Sequence, residues 1–356
     1  MTTSDGASGS GEPEVPPAAP PDAAATPDDA AAADSPGRLG ASTFTIEGRS
    51  APALFVIGWL ATLLGAGLVA VAVLSGGGAA SVWLLVVGLL GLSIGLISAA
   101  GSQGIERRAR GSAATVGYAG PSPLLVFAAS IPVSLLAVIV VGLPLDAIGV
   151  ALDGAFGALL SVGIQALIYI ALIRLLVVDT GALDWRAMGV RALDRLAVVE
   201  MFGGALWALP VIVATIPVAL ILVSITGVTP ESPLPPTGEA VGFALSFLAG
   251  AVVAPFGEEI LFRGFATTAW VRGLGRRSGL VRAALVFAFA HVLTVSGSSA
   301  GDALGLAVVG FGTRIPIALA LGWLFVRKGS IWSAFGLHAA FNAFLLIIAE
   351  VYQAPP

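Results

Sequence analysis

Apolar stretches of about 20 residues recur along this chain, and no other feature of the sequence restricts its fold as strongly. A helix needs about 20 consecutive apolar residues to cross a hydrocarbon core of ~30 Å. The chain is 57% hydrophobic and 11% charged, with a mean hydropathy of +0.98, which is the composition of an integral membrane protein. The sequence therefore predicts an all-α fold, a polytopic transmembrane helix bundle of about eight to nine spans.

Nine candidate spans can be placed, of which the seventh is short. They lie at 51–75, 79–100, 122–144, 156–178, 202–228, 240–268, 281–296, 303–326 and 330–350. On this basis we expect three regions: a tail over 1–48, the first spans with an interfacial helix over 49–200, and a C-terminal bundle over 201–356.

The tail, residues 1–48, is rich in Pro, Ala, Asp, Ser and Gly and has almost no large apolar residue before Phe44. Such a segment buries too little surface to offset the entropy of ordering it, so disorder is expected. Its first 40 residues hold seven acidic side chains against Arg38 alone. It lacks a basic region followed by an apolar one, and therefore does not resemble a signal peptide.

The loops predict the orientation of the chain. Basic residues follow the second, fourth, sixth and eighth spans, whereas the loops after the first, third, fifth and seventh spans contain no Lys or Arg. By the positive-inside rule, the basic loops and the N-terminus are cytoplasmic in a multi-pass protein of the cell membrane. Between the fourth and fifth spans, apolar residues from Leu183 to Leu196 recur near helical spacing beside three arginines, which predicts a short amphipathic helix on the cytoplasmic face with Trp185 at headgroup level.

Six polar residues lie inside otherwise apolar spans: Glu258, Glu259, Arg263, His291, His338 and Asn342. Polar groups at membrane depth are costly and usually face a bundle interior or a wet cavity, so they indicate a functional site. A carboxylate can take a proton from water, an imidazole can position or polarise, and an amide can donate to an oxyanion. Glu258, His291 and His338 lie about 14–21 Å from the basic ends of their helices, at ~1.5 Å per residue. This set suits hydrolysis inside a membrane.

The adjacent glutamates are expected to differ in role. On a helix Glu258 and Glu259 point about 100° apart and do not face the same partner. Glu259 and Arg263 are spaced i, i+4 with the acid first, the favourable order for an ion pair. This division leaves Glu258 free to face a cavity. The alternative is that all three residues form an ion-pair network that only joins helices.

Three sequence motifs resemble those of one family. Residues 255–264, Pro-Phe-Gly-Glu-Glu-Ile-Leu-Phe-Arg-Gly, resemble the Glu-Glu-x-x-x-Arg motif of the CAAX prenyl protease type II and bacteriocin-processing (CPBP, Abi) family of intramembrane peptidases. Residues 287–291 resemble its Phe-x-x-x-His motif, and residues 338–342 resemble its His-x-x-x-Asn motif. The three occur in order within residues 240–350, and the resemblance implies that this part of the C-terminal bundle is the catalytic core.

The resemblance implies an intramembrane endopeptidase that opens to the cytosol and cleaves a membrane-associated protein or peptide near its C-terminus. It implies that Glu258 is the general base on water, that His291 helps to hold this water, and that His338 and Asn342 stabilise the oxyanion. Glu259, Arg263 and Phe287 would support them. No cofactor is required by this scheme, but Glu258, His291 and His338 are also close to the His₂Glu set of catalytic zinc sites, so a divalent metal such as zinc stays open.

Arg314 departs from the expected pattern, because it lies in the middle of the eighth span. It is predicted to pair with Glu259 or Glu258, or to bind a substrate carboxylate; the alternative is a small polar pocket beside a kink at Pro316. Two other classes of protein stay open for the whole chain: a non-catalytic membrane immunity or scaffold protein of the same fold, and a transporter. The absence of cysteine excludes disulfides and thiolate chemistry, and no basic tract indicates nucleic-acid binding.

Overall fold

The computed structural model describes residues 46–111, 117–230 and 236–353, and within these ranges the chain forms helices and no strand. The helices are α1 Pro52–Leu74, α2 Ala79–Gly111, α3 Pro123–Ala147, α4 Ala155–Ile173, α5 Arg195–Ala205, α6 Ala208–Thr226, α7 Ala240–Phe247, α8 Ala254–Glu258, α9 Thr268–Leu274, α10 Arg276–Ala290, α11 Ala300–Lys328 and α12 Ile331–Gln353. The predicted tail falls, apart from residues 46–48, outside these ranges. The division at residue 200 stays a prediction.

Eight helical stretches of the described residues are long and apolar enough to cross a membrane, which confirms the predicted polytopic helix bundle. The stretch predicted at 281–296 is shorter than a full span, because α10 ends at Ala290 after 15 residues and His291 caps it. At ~1.5 Å per residue this helix is about 22 Å long, against ~30 Å of hydrocarbon. Its C-terminal end therefore lies within the bundle.

The helix that carries the two glutamates is continuous from Ala240 to Leu274 but is not regular. It widens into π-helix at Leu248–Val253 and again at Glu259–Thr267, with Pro255 between them at the start of α8. Proline lacks the N–H that an α-helix would use at this point. Such π-helical segments occur often at functional sites.

Close backbone contact positions α12, which carries His338 and Asn342. Gly336 lies against the backbone of Met201 on α5, and Gly204 on α5 lies against the backbone of Ser333 on α12. A Cβ atom at either glycine would collide with a carbonyl oxygen of the other helix. The two helices can approach this closely only because both positions lack a side chain.

The prediction of an amphipathic helix between Leu183 and Leu196 is wrong. The segment runs in turns until α5 begins at Arg195, and Leu183 and Met188 are buried in the core rather than lying on a membrane surface. The carbonyl of Gly189 accepts from the Ile331 N–H at 3.1 Å, and the carbonyl of Arg191 accepts from the Trp332 indole at 3.1 Å. These bonds to the start of α12 take the place of helical hydrogen bonds.

The core surrounds the glutamate-bearing helix. Its aromatic part joins Phe262 to Phe127 at 5.7 Å and to Phe287 at 5.2 Å between ring centroids, and Phe256 stacks on Trp332 at 5.9 Å. Dense aromatic packing of this kind fixes the faces of α8, α10 and α12 relative to one another.

Candidate active site

Three helices bring one carboxylate and two imidazoles together. Glu258 ends α8, His291 caps α10, and His338 lies on α12. Glu258 Oε2 is 3.6 Å from His291 Nε2 and 3.8 Å from His338 Nε2. This oxygen is buried and has no hydrogen-bond partner among the described residues. The gaps exceed hydrogen-bond length, so the three groups surround a small space without closing it.

The second glutamate faces away from this space into the core. Glu259 is fully buried, and its Oε1 lies 2.8 Å from His338 Nδ1 and 3.3 Å from Arg263 Nη1. The ion pair expected at i, i+4 is therefore present. Arg263 Nη1 has no hydrogen-bond partner in the described part of the chain despite this distance, so the contact is one of charge rather than an aligned hydrogen bond. Each buried charge compensates the other.

Hydrogen bonds assign the tautomers of the two histidines. His338 Nδ1 donates to the Glu259 carboxylate, which can only accept, and His291 Nδ1 donates to the Phe287 carbonyl at 2.8 Å. That carbonyl is available because α10 ends there, and the last carbonyls of a helix lack a helical donor. In their neutral forms both imidazoles therefore turn the Nε2 lone pair towards Glu258.

The Nε2 atoms of His291 and His338 and the Oε2 atom of Glu258 then face one common space, and all three are hydrogen-bond acceptors. Acceptors do not bond to one another, so a donor is needed between them. A water molecule has two O–H groups and suits a small polar space with two to four polar partners. A water molecule that donates to Glu258 and to one imidazole would satisfy this set of acceptors.

Phe287 organises the wall of the space. Its ring lies 4.5 Å from the His291 ring and 5.7 Å from the His338 ring, and the Arg263 guanidinium carbon is 4.1 Å above its centroid. Cation–π contact of this kind stabilises a desolvated guanidinium. One aromatic ring thus contacts both histidines and the arginine that compensates Glu259, which fits the supporting role expected for it.

Asn342 lies one turn beyond His338 and donates from Nδ2 to the Gly250 carbonyl at 2.9 Å. In the π-helical segment the Ala254 N–H reaches back five residues to the Ala249 carbonyl. The next donor in this register would be residue 255, which is proline and has no N–H. The Gly250 carbonyl is therefore left for Asn342, and the second N–H of the amide stays available.

Arg314 does not form the predicted ion pair. No ion pair within the described ranges includes it, and its Nη1 donates to the Gly310 carbonyl of its own helix at 2.9 Å. It is half-buried, and its charge and those of Glu258 and His291 influence one another. It therefore belongs to the surroundings of the site without closing on either glutamate.

Tyr169 was missed by the sequence reasoning. This α4 residue is buried and within electrostatic reach of Glu258, and its hydroxyl forms no hydrogen bond with the described residues. Helix α4 comes close because Gly257 packs on Ala166, where an added Cβ would be 2.7 Å from the Ala166 Cβ. Single tyrosines in apolar spans are also typical of the aromatic residues at membrane interfaces, so nothing in the sequence singled out Tyr169 as a site residue.

Glu258, His291 and His338 are the candidate ligands for a metal ion. Two imidazole nitrogens and a carboxylate oxygen are the ligand types of catalytic zinc. In the described ranges, however, no group of three or more His, Cys, Asp or Glu residues has the arrangement needed to hold a metal ion. The side chains that would have to rearrange to hold such an ion are Glu258, His291 and His338.

A cavity of about 610 Å³ lies apart from these residues, between α3, α4 and the start of α7. Its polar lining consists of Asp153, Ser161, Thr237 and Ser246. None of them is among the residues that surround Glu258, so this cavity is not part of the candidate active site.

Comparison with known families places these observations in context. Residues 240–344 match the family described as type II CAAX prenyl endopeptidase Rce1-like, and the match contains all three motifs. Neither the curated proteins nor the solved structures include a match to the chain. Residues 240–344 of the membrane-spanning bundle are therefore similar to a CAAX-type protease domain of the Rce1-like family.

Proposed function

We propose that this chain is an endopeptidase that hydrolyses a peptide bond near the C-terminus of a membrane-associated protein or peptide, with a water molecule activated by Glu258. The observation that carries the proposal is the orphaned Glu258 Oε2, with the Nε2 atoms of His291 and His338 at 3.6 and 3.8 Å. A buried carboxylate without a partner is costly unless a ligand or water completes it.

In the first step, the water held between Glu258 and His291 attacks the scissile carbonyl carbon. Its proton passes to Glu258 as the new C–O bond forms, which is general-base catalysis. When the intermediate collapses, the C–N bond breaks and Glu258 returns this proton to the leaving amine. Protons and bonds balance with one water consumed, and no other reactant is required.

The oxyanion of the intermediate needs donors, and two side chains are suited to the role. Asn342 has a second amide N–H beyond the one bound to Gly250. The second side chain is His338, whose ring is fixed by the bond between Nδ1 and the buried Glu259 carboxylate and whose Nε2 faces the same space. Both groups are held by contacts outside the reacting space, so they need little reorganisation as charge develops.

The proposed orientation has the N-terminus and the basic ends of α9 to α11 in the cytosol, in the cell membrane. Arg272, Arg276, Arg327 and Lys328 mark these ends. On the cytosolic side, a C-terminal segment of a membrane-attached protein can reach the site from its own compartment. Substrates would therefore be membrane-associated proteins or peptides with a cytosolic C-terminus.

The decisive experiment replaces Glu258 by Gln in purified protein reconstituted into liposomes. Cleavage of a fluorogenic lipidated peptide is expected to fall by about 10²–10⁴-fold, since the amide does not accept the proton. Glu239→Gln, at an exposed glutamate before α7, is the matched control and is expected to keep full activity. Full activity in Glu258→Gln with an unchanged melting curve would refute the role of Glu258.

The same preparation tests the open question of a metal. Activity is expected to survive chelator treatment, and metal analysis is expected to find less than one zinc per chain. Loss of activity on chelation, with recovery on adding zinc back, would replace the side-chain scheme by a metal-assisted one.

A further inference from the structure

Arg314 is a cation in the middle of α11, with a charge that the described structure does not neutralise by direct contact. The two arginines near the site differ in this respect. Arg263 is fully buried, lies 3.3 Å from Glu259 and covers the Phe287 ring. Arg314 makes a single hydrogen bond, to the carbonyl of Gly310, and belongs to no ion pair of the described residues. A charge at this depth needs a partner.

The guanidinium of Arg314 is also accessible. The Nε and Nη2 atoms of Arg314 bond to none of the described residues. Neither atom is among the fully buried polar atoms that lack a hydrogen-bond partner. Those two nitrogens are therefore not fully enclosed by the described residues. The carbonyl that Arg314 binds belongs to Gly310, and a Cβ added at Gly310 would lie 3.2 Å from the side chain of Val292, the residue after His291. Arg314 therefore lies beside the end of α10 that carries His291, and the two side chains interact electrostatically.

A planar guanidinium with free N–H groups selects a carboxylate, which it binds through two parallel hydrogen bonds. We propose that Arg314 binds the C-terminal carboxylate of the peptide substrate and so restricts cleavage to bonds within a few residues of a free C-terminus. The assignment rests on the proposed function. It also accounts for the cost of placing a cation mid-helix, since the missing partner arrives with the substrate.

The test compares two peptides of the same sequence, one with a free C-terminal acid and one with a C-terminal amide. The wild-type protein is expected to cleave the acid with a kcat/KM about 10- to 100-fold higher, the size expected of hydrogen bonds to a charged group. A third peptide, an amide with an aspartate near its end, separates the terminal carboxylate from an acidic side chain. It is expected to behave like the plain amide.

Arg314→Gln is expected to lower kcat/KM for the acid to the level of the amide and to leave amide cleavage within about threefold. Arg314→Lys keeps a positive charge and is expected to restore part of the preference. Arg327→Gln is the matched control, because Arg327 lies on the same helix at its basic end, 5.2 Å from the Trp323 centroid, and is expected to change neither rate.

Several outcomes would overturn the assignment. Equal cleavage of acid and amide by the wild-type protein would do so without any variant, while Glu258-dependent cleavage would leave the proposed function intact. An equal loss on both peptides in Arg314→Gln would show that Arg314 only supports Glu258. Preference for the aspartate peptide over the plain amide would assign the arginine to side chains. Absence of any cleavage would refute the proposed function, and the carboxylate assignment with it.

Discussion

The side-chain amide of Asn342 donates to the backbone carbonyl of Gly250 across 2.9 Å, and this bond links α12 to the π-helical segment before α8. The carbonyl is available because Pro255 has no N–H to offer it. A proline one turn before Glu258 thus determines where the amide of a candidate oxyanion donor lies.

Replacing Pro255 by Ala is expected to lower turnover, because it disturbs the position of Asn342. The new N–H competes for the Gly250 carbonyl, so the Asn342 amide loses its fixed position and turnover falls. Asn342→Ala alone is expected to lower kcat by about 10²–10³, as for loss of an oxyanion donor. In the Asn342→Ala protein, Pro255→Ala is expected to lower kcat little further, because the effects of two residues that act through one contact are not additive.

Pro217→Ala controls for the loss of a helix proline, since Pro217 lies exposed within α6. It is expected to leave kcat unchanged. Melting curves of all variants separate loss of turnover from unfolding. If Pro255→Ala lowered kcat by the same factor with and without Asn342, the proline would act by another route.

Tyr169→Phe removes one hydroxyl within electrostatic reach of Glu258 and nothing else. Because this hydroxyl has no partner among the described residues, we expect it to contact the bound water or the substrate, and its removal to lower kcat by about 10-fold. This is less than the 10²–10³ of a complete oxyanion donor, since water can replace a hydroxyl. Melting temperature is expected to stay unchanged.

Tyr118→Phe provides the comparison for Tyr169. The Tyr118 hydroxyl donates to the Pro121 carbonyl at 2.8 Å in the connection between α2 and α3, so its loss is expected to lower stability by about 1 kcal/mol and to leave kcat alone. Equal effects of the two changes on kcat would remove Tyr169 from the site.

Glu259→Gln is expected to act on stability first. The change leaves the buried Arg263 without its counter-charge, which typically costs about 3–5 kcal/mol. Folded yield and melting temperature in detergent are the measurements. Adding Arg263→Met removes the unpaired charge, and most of the lost stability is expected to return. A double variant as unstable as the single one would show that the ion pair is not the cause.

The sequence predicted the parts of this site that depend on spacing within one helix. Glu259 and Arg263 follow the i, i+4 rule, and the different directions of Glu258 and Glu259 follow from helix geometry. The bond between Asn342 and Gly250 was not predictable, because it depends on a π-helical register that spacing does not reveal. The segment from Leu183 to Leu196 failed for a related reason: its backbone bonds to α12, and tertiary contacts override local periodicity.

The final prediction concerns the loop after α10. Because α10 has only 15 residues, its length does not decide on which side of the membrane this loop lies. Helix α11 has 29 residues, about 43 Å at ~1.5 Å per residue, and ends in Arg327 and Lys328. It is long enough to cross completely, so the loop before it must lie opposite the basic ends. Ser296→Cys and Glu239→Cys are therefore expected to react with an impermeant thiol reagent in intact cells, and Arg277→Cys only after lysis.

All three positions are exposed in the described structure, and the chain contains no other cysteine to react. Labelling after lysis confirms that each thiol is reactive. If Ser296→Cys were protected together with Arg277→Cys while Glu239→Cys reacted, α10 would enter and leave on the cytosolic side, and the orientation of α11 and α12 would be reversed. The proposal that their basic ends face the cytosol would then fall, because the positive-inside rule would be violated at Lys328.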